Sequence, residues 1–542
     1  MVADWRNRLG DCRVLRVKVY QLCQTVWRER MTTIPANSNA AGHLQRLFSL
    51  PSVYVLAALA ACLMITIGCQ VQDDELQDDE LRPGQVHDPR NRGAGNPDND
   101  KSGMLQNAQP EADAASVAAT GGVLQSVAGG GGSDPDQQNR PAVKNEPSVA
   151  QLREAALQAL GEGQDDLAFQ FVRQAISMEP DNPQVVFLFA MVLADRHRYA
   201  EAIQMLQELS VREPTTRLPA LGQTAEWMVE SGRYDEAEQQ FRSILQEVPD
   251  ALMVHHRLGQ LLVQTGRRTE AALHFDYLAQ FGELDHEELR ALLIRSRSFP
   301  GDDGMTRFDP LNNLAMCRQE IADGKAEEVV NVMDAAGEAN SDAEVELLNR
   351  LRAQQGDFDQ VQEWIETLDM KTAGPDAWFA RGCLALKRAS DDEAVACFCQ
   401  TLLLDQTDAD AYRMLSRALE EKGDVEKAKA VAARAGLVDE THRIGAKLVG
   451  DKAKDRDLIA QLVESLKKLK RPMEAFGWQT IGLVHAVEAR AITETQAQST
   501  FELIGRQRNQ VVNSGNHRPD PAFVLCGLGP NVLDPVVEKP AP

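Results

Sequence analysis

The sequence predicts an all-α protein, an α-solenoid of antiparallel helix pairs preceded by a disordered linker, and three observations carry that prediction. Ala168, Ala202, Ala237 and Ala271 return at intervals of 34, 35 and 34 residues, and Ala394 and Ala428 are again 34 apart. Val172, Leu206, Phe241, Phe275 and Phe398 stand four residues after these alanines, and Pro180, Pro214 and Pro249 follow eight residues later. Short polar turns precede the alanine, as in Ser231-Gly232-Arg233 and Thr265-Gly266-Arg267. A sustained period of this length is the mark of a repeat architecture.

Each position in the unit has a helical meaning. Residues four apart share a helix face, so the alanine admits a neighbouring helix closely while the larger residue after it fills the gap. Proline then ends the unit, because it cannot continue a helix. The turn before the alanine combines a helix stop with a helix start. The preceding segments, such as 185–193 and 378–386, carry apolar residues at helical rather than alternating spacing. Each unit is therefore two antiparallel helices.

With these residues in place the sequence resembles the tetratricopeptide repeat family. Trp378, Gly382, Ala394 and Phe398 follow its pattern in one unit, and Leu258, Gly259, Leu262, Ala271 and Phe275 follow it in another. The resemblance spans roughly residues 148–438. It implies a right-handed solenoid whose first helices line a concave groove. Projected onto this chain, the groove residues are Phe187, Met191 and Asp195, then Glu226 and Glu230, then His256 and Gln260, then Phe379 and Cys383, and finally Arg413 and Arg417. The Lys and Asn set with which some family members hold the terminal carboxylate of chaperone tails has no counterpart at these places. Apolar and acidic groups in the amino-terminal half instead suit a protein or peptide segment bearing basic and aromatic side chains.

The repeats are not uniform. Four occupy 148–283; residues 284–374 hold degenerate repeats with Val329 and Val361 where alanine is expected; two more fill 375–438. Within the degenerate stretch, 298–310 contains Pro300, Gly301, Gly304 and Pro310 and no periodicity, which reads as a surface insertion. Helical patterns over 439–512 read as divergent capping repeats with a polar outer face. Residues 513–542 form an irregular, proline-rich tail that either packs on the solenoid end or hangs free.

Residues 1–69 read as a basic extension plus a signal peptide or membrane anchor. The stretch 53–68 carries no charge and is preceded by His43 and Arg46. It is short for a bilayer span and suits a signal-peptide core. Cys69 and Cys62 each resemble the acceptor of a bacterial lipoprotein. Cys69, where apolar sequence gives way to polar, is the favoured lipidation site, with Cys62 and an uncleaved anchor helix as alternatives. Met31 offers a second start beside Met1. Residues 70–147 are rich in Asp, Gly, Asn, Gln and Pro and read as a disordered acidic linker.

Composition narrows function. Lys and Arg total 57 against 81 Asp and Glu, a formal charge of −24, and no basic block appears in the repeats, which tells against nucleic acid as a partner. Cys317, Cys383, Cys397, Cys399 and Cys526 are too sparse for a disulfide framework. No phosphate loop, zinc pair or CxxC motif stands out, so neither an enzyme nor a cofactor is expected. His255, His256 and His274 fall within one repeat and are the one set that a metal or catalytic role would use. The leading expectation is a membrane-tethered scaffold that binds another protein in the cell envelope, with its repeats extracytoplasmic. A structural arm of an envelope assembly or export complex is the alternative, and a metal-binding or enzymatic protein using the repeat histidines is the third.

Overall fold

A computed structural model describes residues 147–302, 306–337 and 341–534. Among them there is no strand. Four helix pairs come first: α1 (Val149–Gly161) with α2 (Asp165–Met178), α3 (Pro183–Asp195) with α4 (Tyr199–Arg212), α5 (Arg217–Glu230) with α6 (Tyr234–Glu247), and α7 (Leu252–Gln264) with α8 (Arg268–Ala279). A lone helix α9 (His286–Leu293) follows. Four further pairs are α10 (Asn313–Ala322) with α11 (Ala326–Ala336), α12 (Asp342–Gln355) with α13 (Phe358–Thr367), α14 (Pro375–Lys387) with α15 (Asp391–Leu404), and α16 (Ala409–Glu421) with α17 (Val425–Gly445). After these come α18 (Arg456–Lys468), α19 (Pro472–Glu488), α20 (Glu494–Asn513) and the single turn α21 (Pro521–Val524), followed by a 3-10 turn at Pro530–Leu533.

Local chemistry sets these boundaries. Ser148, Asp285, Ser341 and Thr493 each open a helix with a capping box, in which the cap side chain and the residue three positions on satisfy one another's backbone amides. Pro183, Pro375 and Pro472 stand in the first turn of their helices, where no amide donor is required. Between the two helices of a pair one residue takes a positive φ: Gly163, Gly232, Gly266, Gly324, Gly356 and Gly423 do so without a Cβ penalty, whereas His197, Ala389 and Lys470 do so with one.

The alanines that set the period all lie in the core. Ala168, Ala202, Ala237, Ala271, Ala394 and Ala428 are all fully buried, as are Val172, Leu206 and Phe398 four residues after three of them. Val329 and Val361 hold the same place in the degenerate units, also fully buried.

Helix α9 departs from a simple stack. Ala291 and Leu292 face the core of the amino-terminal pairs. On its other side Leu289 and Leu293, continued by Ile294 and Phe299, enter a separate core with Ile444 of α17, Ile459 and Leu462 of α18 and Trp478 of α19. Arginines close the polar side of this junction by donating to backbone carbonyls remote in sequence: Arg471 Nη2 to Leu292 O at 2.7 Å and Arg290 Nε to Gly445 O at 2.8 Å. The helices expected as caps after residue 438 therefore bury one face against the middle of the chain.

Two expectations need correction here. The described residues of 298–310 lack helix, and they are pinned rather than a free surface insertion. Phe299 is buried beneath the Arg290 guanidinium, 4.3 Å from its ring centre, and Gln319 Nε2 donates to Phe299 O at 3.0 Å. The described part of the tail, to residue 534, packs, and its seat is on α15 to α17 rather than the last helices. Val524, Leu525 and Leu528 join the core of Leu402, Val431 and Val438, and Tyr412 Oη donates to Val524 O at 3.0 Å.

Candidate functional site

In the amino-terminal half, side chains from successive first helices reach one another, which defines a shared face. Phe187 and Met191, one turn apart on α3, are half-buried at the edge of the amino-terminal core, and Asp195 follows one turn later. On α5, Glu226 is half-buried and Glu230 exposed. Glu226 receives a two-pronged pair from Arg257 of α7, with Nε to Oε1 at 2.6 Å and Nη2 to Oε2. Arg257 Nη1 also donates to Gln260 Oε1 at 3.1 Å, and Gln260 Nε2 donates to Glu288 Oε1 of α9 at 3.2 Å. His256 Nδ1 meets the same oxygen at 2.7 Å, and Arg307 approaches it at 3.3 Å. The result is a hydrogen-bonded row running from α5 across α7 to α9.

This row joins three of the expected groove residues, Glu226, His256 and Gln260, through Arg257 and Glu288, which sequence reasoning did not single out. Glu288 carried one readable signal, its place three residues after Asp285 in a capping box. The expected acidic character is altered by the same contacts. Glu226 is matched by a cation of its own chain, so it does not present a free charge to a partner.

The carboxy-terminal half differs. Phe379 and Cys383, expected in the groove, are core residues, 1% and 4% exposed. Phe379 meets Phe398 edge-on at 5.7 Å and lies under the Arg350 guanidinium at 3.9 Å, while burial pushes the Cys383 thiol up to about 12. The physical reason is that both side chains enter the core of α14 to α17, and beside them lies a buried ionic ladder. Arg318 Nη2 pairs with Asp376 at 2.9 Å, and Arg350 Nη1 reaches Asp376 at 3.2 Å and Asp408 at 2.6 Å. Over this ladder runs the segment after α9. Ser296 O accepts from Arg318, Arg297 lies 3.5 Å from Asp410, and Arg295 N donates to Thr407 Oγ1 at 2.9 Å. Arg413 and Arg417 remain exposed on α16. Arg413 holds Asp410 and Asp439, and Arg417 holds Glu421 at 2.8 Å, so neither joins the amino-terminal row.

The histidines divide. His256 turns to Glu288, whereas His255 and His274 meet with their Nδ1 atoms 2.9 Å apart. His255 Nε2 lies 2.9 Å from the carbonyl of Pro249 and must donate there, so its Nδ1 is the acceptor of the His274 proton. Tyr277 stacks on His255 at 4.3 Å. Burial, reinforced by His255, pushes the His274 imidazole down to about 4. This hydrogen bond occupies both facing Nδ1 atoms, one as donor and one as acceptor. Among the described residues no three His, Cys, Asp or Glu side chains converge as metal ligands.

Cys397 and Cys399 are fully buried on α15, and burial pushes the Cys399 thiol up to about 12, which leaves both as packing groups. No helix among the described residues is long and apolar enough to cross a membrane. Cys62, Cys69 and the apolar stretch 53–68 lie outside the described residues.

Two family models described as tetratricopeptide repeat match residues 159–221 and 229–285. The chain is 30% identical over 88 residues to an antiviral innate immune response effector, IFIT1, of Macaca fascicularis, a match covering 16% of this chain and 18% of that protein. It is 29% identical over 124 residues to the uncharacterized protein y4yS of Sinorhizobium fredii, covering 23% of this chain and 66% of the relative. Among solved structures, a tetratricopeptide repeat protein from Parabacteroides merdae is similar at 16% identity, with 50% of this chain and 98% of that chain covered and a TM-score of 0.24. The Cut9–Hcn1 hetero-tetramer of the APC/C is similar at 14% identity, covering 72% of this chain and 96% of that one, with a TM-score of 0.23.

Proposed function

This chain carries tetratricopeptide repeats, a scaffold for protein–protein interaction, and we propose that it holds its partner on the first-helix face of α3, α5 and α7. The continuous row from Glu226 to Glu288 supports this, because it links α5, α7 and α9 into one surface. Phe187 and Met191 add an apolar end to that surface. A partner segment that places an apolar anchor against them and hydrogen-bonding side chains along Arg257 and Gln260 matches both ends. The corresponding face of α10 to α16 is occupied by the chain's own residues 295–297, which leaves the amino-terminal face as the binding surface.

A photo-crosslinking residue placed at Met191 or Gln260 should capture one and the same partner, and Met191→Asp should abolish that capture. Equal capture from Arg242, which pairs with Glu270 on the second-helix face, would place the partner elsewhere.

The scaffold reading extends to location. We propose that residues 53–69 tether the repeats to the cell envelope through a lipidated cysteine, Cys69 first and Cys62 second, with the repeats extracytoplasmic. The uncharged stretch ahead of a cysteine at an apolar-to-polar boundary supports it. Radiolabelled fatty acid should enter the wild-type chain and be lost in Cys69→Ala. Label retained in that variant but lost in Cys62→Ala moves the site, and no label in the wild type removes the proposal. The structural-arm alternative requires a large apolar surface after residue 438. Among the described residues there, Leu503 and Phe523 are the large apolar side chains left exposed, so no observation favours it.

A further inference from the structure

The repeat period fixes equivalent positions on the second helices of the amino-terminal pairs, so one unit can be compared with the next. Two residues after the phased alanine stand Gln170 on α2, Gln204 on α4 and Gln239 on α6, and six after it stand Gln174, Glu208 and Ser243. All but Ser243 are exposed, which makes this row an outer, polar face of the second helices. On α8 the same two places hold Leu273 and Tyr277. Leu273 is 69% exposed. Tyr277 lies one turn later on the same helix face, half-buried, with His255 stacked on its ring at 4.3 Å. Phe281, in the turn that closes α8, continues the row: it is 45% exposed and its ring meets that of Tyr277 at 5.2 Å. The places equivalent to Phe281 hold Met178, Arg212 and Glu247, so only α8 is apolar or aromatic along the whole row. Such a row, left open to water among polar neighbours, marks an interaction surface.

The charge beside the row is negative. His255, stacked on Tyr277, bonds the carbonyl of Pro249 through Nε2 at 2.9 Å, and the next residue, Asp250, is exposed and forms no ion pair among the described residues. Burial, and after it the Asp250 carboxylate, pushes the Tyr277 hydroxyl up, which sets Asp250 within electrostatic reach of the row. Glu283, two residues after Phe281, is also exposed, and it acts on Arg508 of α20, which lies against Gly282. The Glu283 charge is therefore shared within the chain, whereas that of Asp250 faces outward.

We propose that Leu273, Tyr277 and Phe281 dock an amphipathic helix of a partner protein, which lays its apolar side on the row and sets a basic side chain opposite Asp250. Side chains at i, i+4 and i+8 follow the spacing at which a second helix presents its own apolar residues. An extended segment suits the row less. The backbone groups of α8 are spent within the helix, so a strand laid along it would find none to pair with. Asp250 selects the sign of the charge, and the formal −24 of the chain disfavours an acidic partner. The row belongs to a second helix, so it is separate from the first-helix face of α3 to α7 and does not rest on that face being used.

Fluorescence anisotropy tests this with a labelled leucine–lysine peptide, patterned to one apolar helix face, titrated with the full chain. The peptide should bind saturably, whereas a leucine–glutamate counterpart and a scrambled leucine–lysine peptide should not. Leu273→Gln with Phe281→Glu installs what α6 carries at the same places, Gln239 and Glu247, and should weaken binding at least about tenfold, the loss of two apolar contacts. The added glutamate would strengthen a purely electrostatic attraction, so a loss reads the apolar row. Asp250→Lys, at an exposed position, should also weaken the lysine peptide, and it decides the matter if the double variant loses helical content. The proposal is overturned if the wild type binds no peptide, or if the scrambled or glutamate peptide binds equally well. It is overturned also if Met191→Asp abolishes binding and the double variant does not, which puts the peptide on the first-helix face. A wild-type dimer in sedimentation that the double variant dissociates would overturn it by making a second copy the occupant.

Discussion

Gly382 on α14 lies directly against the ring of Phe398 on α15: a Cβ added at 382 would sit 2.7 Å from Phe398 Cε1. Gly259 and Phe275 repeat the relationship in another unit, at 2.5 Å. In both pairs the glycine precedes the phenylalanine by 16 residues, so the contact belongs to the repeat and not to one site. It is the inner half of the unit's packing, in which the first helix gives up a side chain so that the second can bury a large one.

Gly382→Ala should therefore destabilise the fold by about 1–3 kcal/mol, the usual cost of overpacking a filled core. Phe398→Leu in the same chain should recover part of that loss, because the ring that clashes is gone. Urea denaturation of the single and double variants measures both. Full additivity of the two changes would show that the glycine matters for another reason.

The inter-helix turns give a change of opposite sign. Ala389 is exposed and holds φ at 53°, where glycine stands at the corresponding turns of other units, such as Gly232 and Gly266. The left-handed conformation costs an L-residue about 1–2 kcal/mol, partly offset by the greater unfolded-state entropy of glycine. Ala389→Gly should raise stability by about 0.5–1 kcal/mol in a denaturant titration. A loss of stability would mean that the methyl group has a favourable contact outweighing the backbone term.

The pair Glu226–Arg257 offers a test of the binding face. Arg257→Glu alone places two carboxylates together and should impair both partner capture and local order. The swap Glu226→Arg with Arg257→Glu restores opposite charges and should recover stability. Gln260 loses its donor in the swap, since Arg257 Nη1 bonds its Oε1, so capture should recover less than stability does. Pull-down yield against melting temperature across the three variants reads the split. Capture that tracks stability in every variant would assign the pair a purely structural role.

These positions also show how far the sequence carries. The alanines, the residues four places on and the polar turns each report a contact within one unit or between neighbours, and such local geometry is written in spacing. Asp285 and Glu288 likewise announce the start of α9 by their capping-box interval. What spacing does not contain is the crossing of Arg295 N to Thr407 Oγ1, two residues 112 positions apart. Nor does spacing contain the burial of Phe379 and Cys383 in the core of α14 to α17, since register alone placed them on an open face. The Arg350 ladder is of the same kind: Arg350, Asp376 and Asp408 come from separate parts of the chain and meet as a buried network only in the folded structure.

Acid should destabilise the fold through its half-buried imidazoles. Burial pushes His274 and His286 down to about 4 and His442 to about 3, against about 6.5 in the unfolded chain. All three are neutral on both sides of the transition above about 6.5, so they contribute no pH dependence there. As pH falls below that value the unfolded chain takes up protons that the folded chain refuses, and stability drops until the folded values are reached at about 4 and about 3. His286 is the one to remove, because its ring stands edge-on to Trp478 at 5.1 Å in the junction core and its Nε2 has no partner. His286→Phe keeps the aromatic contact and deletes the titration. Its melting temperature should therefore fall less steeply than that of the wild type between pH 6.5 and 4, with the two curves parallel above 6.5. Identical slopes below 6.5 would mean that His286 is protonated in the folded chain, and that the junction between α9 and α19 admits a charge.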